Sequence, residues 1–293
     1  MQHKEPAAVD ETVTGQIDQH DSCARGYQWP SGAAGTNRGL NVIYDMTLLA
    51  ENDHVDKRNE IACSGLGIGV CFVPPVGHRQ RSVVMLMAGI EVIDSALTKQ
   101  SIDLARTHLS PYLFNHVIRS WLMSTLAASN FPVKPDPEVL ACATILHDLG
   151  LTEKYEANER FEVDGANAAR AFLRGHGMKE RDLQLVWDSI ALHTTPSIAV
   201  HKEPEVVCCL AGIGADIIGF GLDRFKPEDV ERINQAYPRL SIKERFKNDM
   251  CGIVKRKPHC AHGGIAADFG ARYVPGFKPV SAADLVANAP YAE

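Results

Sequence analysis

From about Ser82 onward the apolar positions fall at helical spacing, and strand alternation is scarce. The run from Val139 to Leu146 holds no charged residue, which predicts a helix enclosed on most sides. Asp136 can cap it, Pro137 takes its first position, Glu138 complements its dipole, and Gly150 marks its stop. Another helix is predicted to open at Pro111 and run through Leu126. Asp164 is expected to cap a helix of small residues ending at Leu173, suited to close packing. Lys179 to Leu192 is amphipathic, with Leu183, Val186, Trp187 and Ile190 on one face, and His193 continues that face. Between Glu205 and Asp223 the only charged residue is Asp216. Pro227–Ala236 and Ile242–Val254 read as two further helices, Lys255 to Phe277 as loop, and Ser281 as the cap of a short terminal helix.

The first 81 residues have a different texture. Met1 to Asn37 is polar and without periodicity, and Ile61 to Gly77 is apolar but broken by glycines and prolines. Gly65, Gly67 and Gly69 lack the strand-then-helix setting of a phosphate loop, and Cys63 and Cys71 have no matching ligand pair. The chain is therefore divided into an extension, 1–81, and a helical domain, 82–293.

Composition narrows the classes. At 293 residues, 45% hydrophobic and 23% charged, the chain can bury one large core as a soluble globular protein. A net charge of −6 with no basic block points away from a nucleic-acid partner. Val206 to Leu222 is at the short limit for a membrane span and contains an aspartate, so no membrane partner is expected. Eight cysteines without a C-x-x-C pair, behind an N-terminus lacking a secretory signal, fit a cytoplasmic protein with reduced thiols. Homo-oligomerisation stays open.

Candidate chemistry sits at apolar positions. His147 and Asp148 arrive together at the end of a fixed rod, either partly wetted at the helix end or buried against a divalent metal. His116 shares a helix face with Arg119 and is either held by a backbone carbonyl or a ligand. Ionised Asp216 in an apolar helix costs several kcal/mol, as an order of magnitude, unless a cap or a metal compensates it. His193 either closes its helix end or faces a substrate; His176, between two glycines, reads as a surface loop residue. Cys251, His259, Cys260 and His262 fit no common zinc spacing.

The order of these residues, His116 with Arg119, then His147-Asp148, then a lone Asp216 in a later helix, resembles the HD-domain metalloproteins. The resemblance implies an all-α HD-domain helical bundle in which His116, His147, Asp148 and Asp216 hold one divalent transition metal, Zn2+ first, with Fe2+ or Mn2+ as alternatives. Two-metal members carry extra histidines; this chain has Phe161-Glu162 at one of those places and keeps only His193 at the other. That departure implies a single metal.

The segments Phe114-Asn115-His116, Arg160-Phe161-Glu162-Val163-Asp164-Gly165-Ala166, Leu192-His193-Thr194 and Gly212-Ile213-Gly214-Ala215-Asp216 are similar to the cyanamide hydratase group. The implied activity is hydration of a small nitrile, cyanamide to urea, by metal-activated water, with Asp148 or His193 moving the proton. A rival is a phosphohydrolase acting on a nucleotide, for which Arg119, Arg160 and Lys154 are the candidate phosphate-binding cations. A third reading is a metal-stabilised regulatory module without turnover.

Overall fold

A computed structural model describes residues 83–291; the expectations for the 1–81 extension lie outside the described residues. The described chain is helical, with eleven α-helices and one two-stranded sheet. No helix among the described residues is long and apolar enough to cross a membrane.

The sheet is the first departure from the sequence expectation. Strand β1 (Val84–Met87) pairs antiparallel with β2 (Ile90–Ile93), Val84 opposite Ile93 and Met87 opposite Ile90. Ala88 and Gly89 turn the chain at φ +47° and +78°, the paired positive angles of a tight hairpin. Ile90 and Val92 are buried in the core.

Helix α1 (Ala96–His108) starts at Ser95, whose hydroxyl accepts from the Thr98 amide at 3.0 Å. Helix α2 (Pro111–Asn130) is buried along most of its length and runs through the core, past the expected end at Leu126. Helix α3 (Pro137–Leu146) begins as its sequence predicts: the Asp136 carboxylate accepts from the Glu138 and Val139 amides at 2.9 and 3.1 Å. Ile145 and Leu146 are fully buried, and burying such side chains stabilises by about 1.5–3 kcal/mol each, so the end of α3 is held firmly.

After a 3-10 turn at Leu149–Leu151 come α4 (Phe161–Gly175), α5 (Glu180–Ala191) and the short α6 (Pro196–Ala199). Gly150 and Gly165 make a close crossing. A β-carbon on Gly150 would overlap the Phe161 carbonyl oxygen, and one on Gly165 would lie 3.0 Å from the Gly150 nitrogen. Helix α4 starts before Asp164, so Asp164 is not its cap. Its buried carboxylate instead accepts from the Ala157 and Glu159 amides and from Lys257 Nζ, tying the 152–160 loop to the end of α9.

Helix α7 (Pro204–Ile218) ends on Gly219 at φ +74°. It is followed by α8 (Pro227–Ala236), α9 (Ile242–Arg256), α10 (Ile265–Tyr273) and α11 (Ala282–Ala287), the last capped by Ser281. The expected loop from Lys255 to Phe277 is thus corrected: it contains α10, whose Ala266 and Ala267 are buried.

The packing of α7 on α2 turns on one residue. Gly212 sits so close to α2 that a β-carbon would collide with the Ser120 carbonyl oxygen and the Ser124 amide and hydroxyl. Buried Ser120 and Ser124 are the small partners that admit this approach. Asp216 follows Gly212 by four residues, so the same face of α7 carries it toward α2.

Candidate metal centre

His116 comes from the middle of α2, and His147 and Asp148 from the end of α3. Consecutive helical side chains point about 100° apart. Here His147 keeps helical angles while Asp148 leaves them at φ −98°, ψ 11°, and both side chains reach one cluster. The His147 and His116 Nε2 atoms stand 3.2 Å apart. Asp148 Oδ2 lies 3.3 Å from the first and 3.7 Å from the second. All three residues are buried.

The hydrogen bonds around the cluster fix its donors. His147 Nδ1 lies 2.8 Å from the Thr144 carbonyl oxygen and must donate to it. His116 Nδ1 lies 2.6 Å from Asp216 Oδ2 and donates there. In the neutral rings both Nε2 atoms then carry lone pairs and face each other, an arrangement that needs a cation between them. Asp148 Oδ2 completes it: the atom is buried and has no hydrogen-bond partner among the described residues. Metal–ligand bonds of about 2.1 Å in a tetrahedral set place ligand atoms roughly 3.4 Å apart, which the observed separations match. The three residues fit a divalent metal, and they are the one such group of His, Cys, Asp and Glu among the described residues. Residues Cys251, His259, Cys260 and His262 form no such group; the Cys260 thiol donates to the Asn158 carbonyl at 2.8 Å.

Asp216 lies on the Nδ1 side of His116, while the cluster gathers at Nε2. Arg119 donates to both its oxygens, Nε to Oδ1 at 2.7 Å and Nη2 to Oδ2 at 2.8 Å, and Arg239 Nη1 reaches Oδ1 at 2.8 Å. The compensation expected from a cap or a metal is supplied in this structure by two guanidinium groups and an imidazole. Burial opposes ionisation of Asp216, yet His116 and Arg119 hold its carboxyl well below the usual carboxylate range.

Asp148 behaves alike: burial raises its pKa, but His147, His116 and His193 outweigh that and keep it ionised. Burial alone would lower the His147 pKa, but Asp148 and the Thr144 carbonyl raise it above the ordinary value. A proton thus competes with a metal for this place, so metal affinity falls with falling pH.

His193 follows α5 and points inward. Its Nδ1, 2.6 Å from the Ile190 carbonyl, is the donor atom, and its ring packs edge-on against His147 at 4.9 Å between centroids. Burial, then the nearby His147, pushes its pKa down to about 4, so the ring is neutral near pH 7 with Nε2 unprotonated. His176 is an exposed residue at the end of α4.

Beside the cluster opens a cavity of about 710 Å3. His193, Thr194, Thr195, Ser197 and Asp268 contribute polar groups beside the cluster itself; α7, α9 and α10 contribute apolar walls, among them Ile213, Phe246 and Ile265. The described lining contains two carboxylates, Asp148 and Asp268, and no lysine or arginine.

Three residues given no role from sequence support the site. Glu162, buried at the start of α4, accepts from the Thr194 hydroxyl at 2.5 Å and from Arg160 at 2.7 Å, fixing the segment that follows His193. Its position beside Phe161 in the resemblance segment was the available signal. Thr144 orients His147 through backbone that any residue type would offer. Arg239 lies between α8 and α9, where no local pattern marks it.

The HD domain family model matches residues 113–217, from the first turn of α2 to the last turn of α7, and the match includes His116, His147, Asp148, His193 and Asp216. No curated protein matches the chain. Residues 113–217 are thus similar to the HD domain, a family whose general chemistry is metal-dependent hydrolysis, and their His-His-Asp group fits a divalent metal.

Proposed function

We propose that this protein hydrates a small neutral nitrile, cyanamide to urea, at one divalent metal held by His116, His147 and Asp148, with Asp216 orienting His116. The observation that carries this over phosphate-ester hydrolysis is the cavity lining, which offers a phosphate no described cation and two carboxylates. None of the candidate cations is in that lining, although Arg160 lies against Gly264 at its edge. Arg119 is buried on Asp216 and the Tyr237 carbonyl, Arg160 pairs with Glu162, and Lys154 lines a separate surface depression. A three-ligand site that leaves positions open is of the catalytic kind, which disfavours a purely structural module. The donor set suits Zn2+, Fe2+ or Mn2+.

The chemistry such an ion supplies is acidification of water and polarisation of a nitrile nitrogen. The residues do the rest. Neutral His193 accepts a proton at Nε2 as the water oxygen bonds to the nitrile carbon, and returns it to the nitrile nitrogen. One carbon–nitrogen π bond is lost, nothing leaves, and the isourea tautomerises to urea. Thr194, held by Glu162, borders this place.

Elemental analysis and urea formation from cyanamide, run on the same samples, test the reading. We expect about one metal per chain with urea production, both lost in His147→Ala. His193→Ala keeps the metal and loses roughly 10²–10⁴-fold in turnover. Full metal occupancy with phosphate released from nucleotides and no urea overturns it.

A further inference from the structure

The cavity is far larger than cyanamide requires. Three heavy atoms, at about 30 Å3 each by analogy with water, fill roughly 90 Å3. A volume of about 710 Å3 is one that encloses a much larger ligand. Beyond the polar groups near His193, its walls include Leu210, Ile213, Ile217, Phe246 and Ile265, none with a polar side-chain atom. Ala267 of α10, buried and small, keeps the space open.

We infer that the substrate is a neutral cyanamide bearing an aliphatic substituent, R–NH–C≡N, whose chain lies along the α7, α9 and α10 walls; this rests on the hydratase reading and narrows it. The polar groups beside the cluster receive the N–C≡N head, and the apolar remainder of the cavity receives R. An anionic R is excluded, because the described lining holds the Asp148 and Asp268 carboxylates and no lysine or arginine. The reaction balances as before: water adds across the nitrile, R–NH–CO–NH2 forms, and no bond to R breaks.

The test is a homologous series on the full-length, metal-loaded protein: cyanamide and its N-methyl, N-butyl and N-hexyl derivatives. Each buried methylene improves kcat/KM by about fourfold until the apolar space is filled. Binding of the matching N-alkylureas, measured by calorimetry on loaded and metal-stripped protein, strengthens along the series in the same way. Ala267→Phe lowers the hexyl-to-parent ratio of kcat/KM. The wild-type series decides the matter even if that variant fails to fold. A flat or falling series in a protein that hydrates cyanamide overturns the substituent and leaves the hydratase reading standing. Graded urea binding without hydration of any member overturns the hydratase reading and supports the apolar subsite. Neither hydration nor graded binding overturns both.

Discussion

Asp216 Oδ2 lies 2.6 Å from His116 Nδ1, on the side of the ring turned from the three-residue cluster. A carboxylate so placed fixes the tautomer of a metal-binding histidine and strengthens its free nitrogen. It also joins helices whose contacting residues are one hundred positions apart.

Replacing Asp216 by Asn keeps the shape and removes the charge. Metal affinity, measured by chelator competition, is expected to fall about 10–100-fold. Thermal stability falls as well, because Arg119 loses the carboxylate that balances its buried charge. Complete loss of binding with the fold intact would mark Asp216 as a direct ligand instead.

Gly212→Ala forces α7 away from α2. The added methyl meets backbone atoms of Ser120 and Ser124 as well as a hydroxyl, so side-chain rotation cannot relieve it. Denaturant unfolding should show a loss of about 1–3 kcal/mol. Metal affinity should drop too, since the His116–Asp216 contact spans the same interface. Unchanged stability would refute the close approach.

Glu162 supplies a pH signature. Burial raises its pKa, but Arg160, His193 and Thr194 outweigh that and hold it below the ordinary 4.5. The folded state therefore favours the carboxylate. Its contribution is fully present above the unfolded pKa and is lost as pH falls through the lower folded value. Glu162→Gln should be less stable than wild type at about pH 6, with the gap closing below about pH 4.5. Denaturation curves across that range check this; a constant gap would remove Glu162 as the source.

Burial pushes the Cys142, Cys208 and Cys209 thiols up to about 12. Thiolate is the reactive form, so these three should resist alkylation in the native state. Mass spectrometry after a short iodoacetamide pulse should find them labelled only in denaturant. Native labelling at Cys142 would contradict the packing of α3.

Much of the fold was legible because local rules set it. Asp136 and Pro137 start α3 as their residue types require, and the uncharged run that follows is buried on all sides. Where local signals are weak or divided, the structure departs from the pattern they suggest. The Ala88-Gly89 turn lay inside a short apolar run that periodicity alone does not assign, and the stretch holding α10 is studded with turn residues. Asp164 looked like a cap because it opens a small-residue run, yet its carboxylate is used by the preceding loop and by Lys257.

By itself, the sequence determined the helical class and the placing of His116, His147, Asp148 and Asp216 at apolar positions. A charge or imidazole in an apolar helix is visible without coordinates, because burying it demands a partner. Which partner answers that demand was decided only by tertiary structure. The Gly212 crossing brings Asp216 to His116 and Arg119, the 237–239 segment adds Arg239, and α9 and α10 wall the cavity. These contacts join residues far apart in the chain, and helical periodicity says which face is buried but not against what.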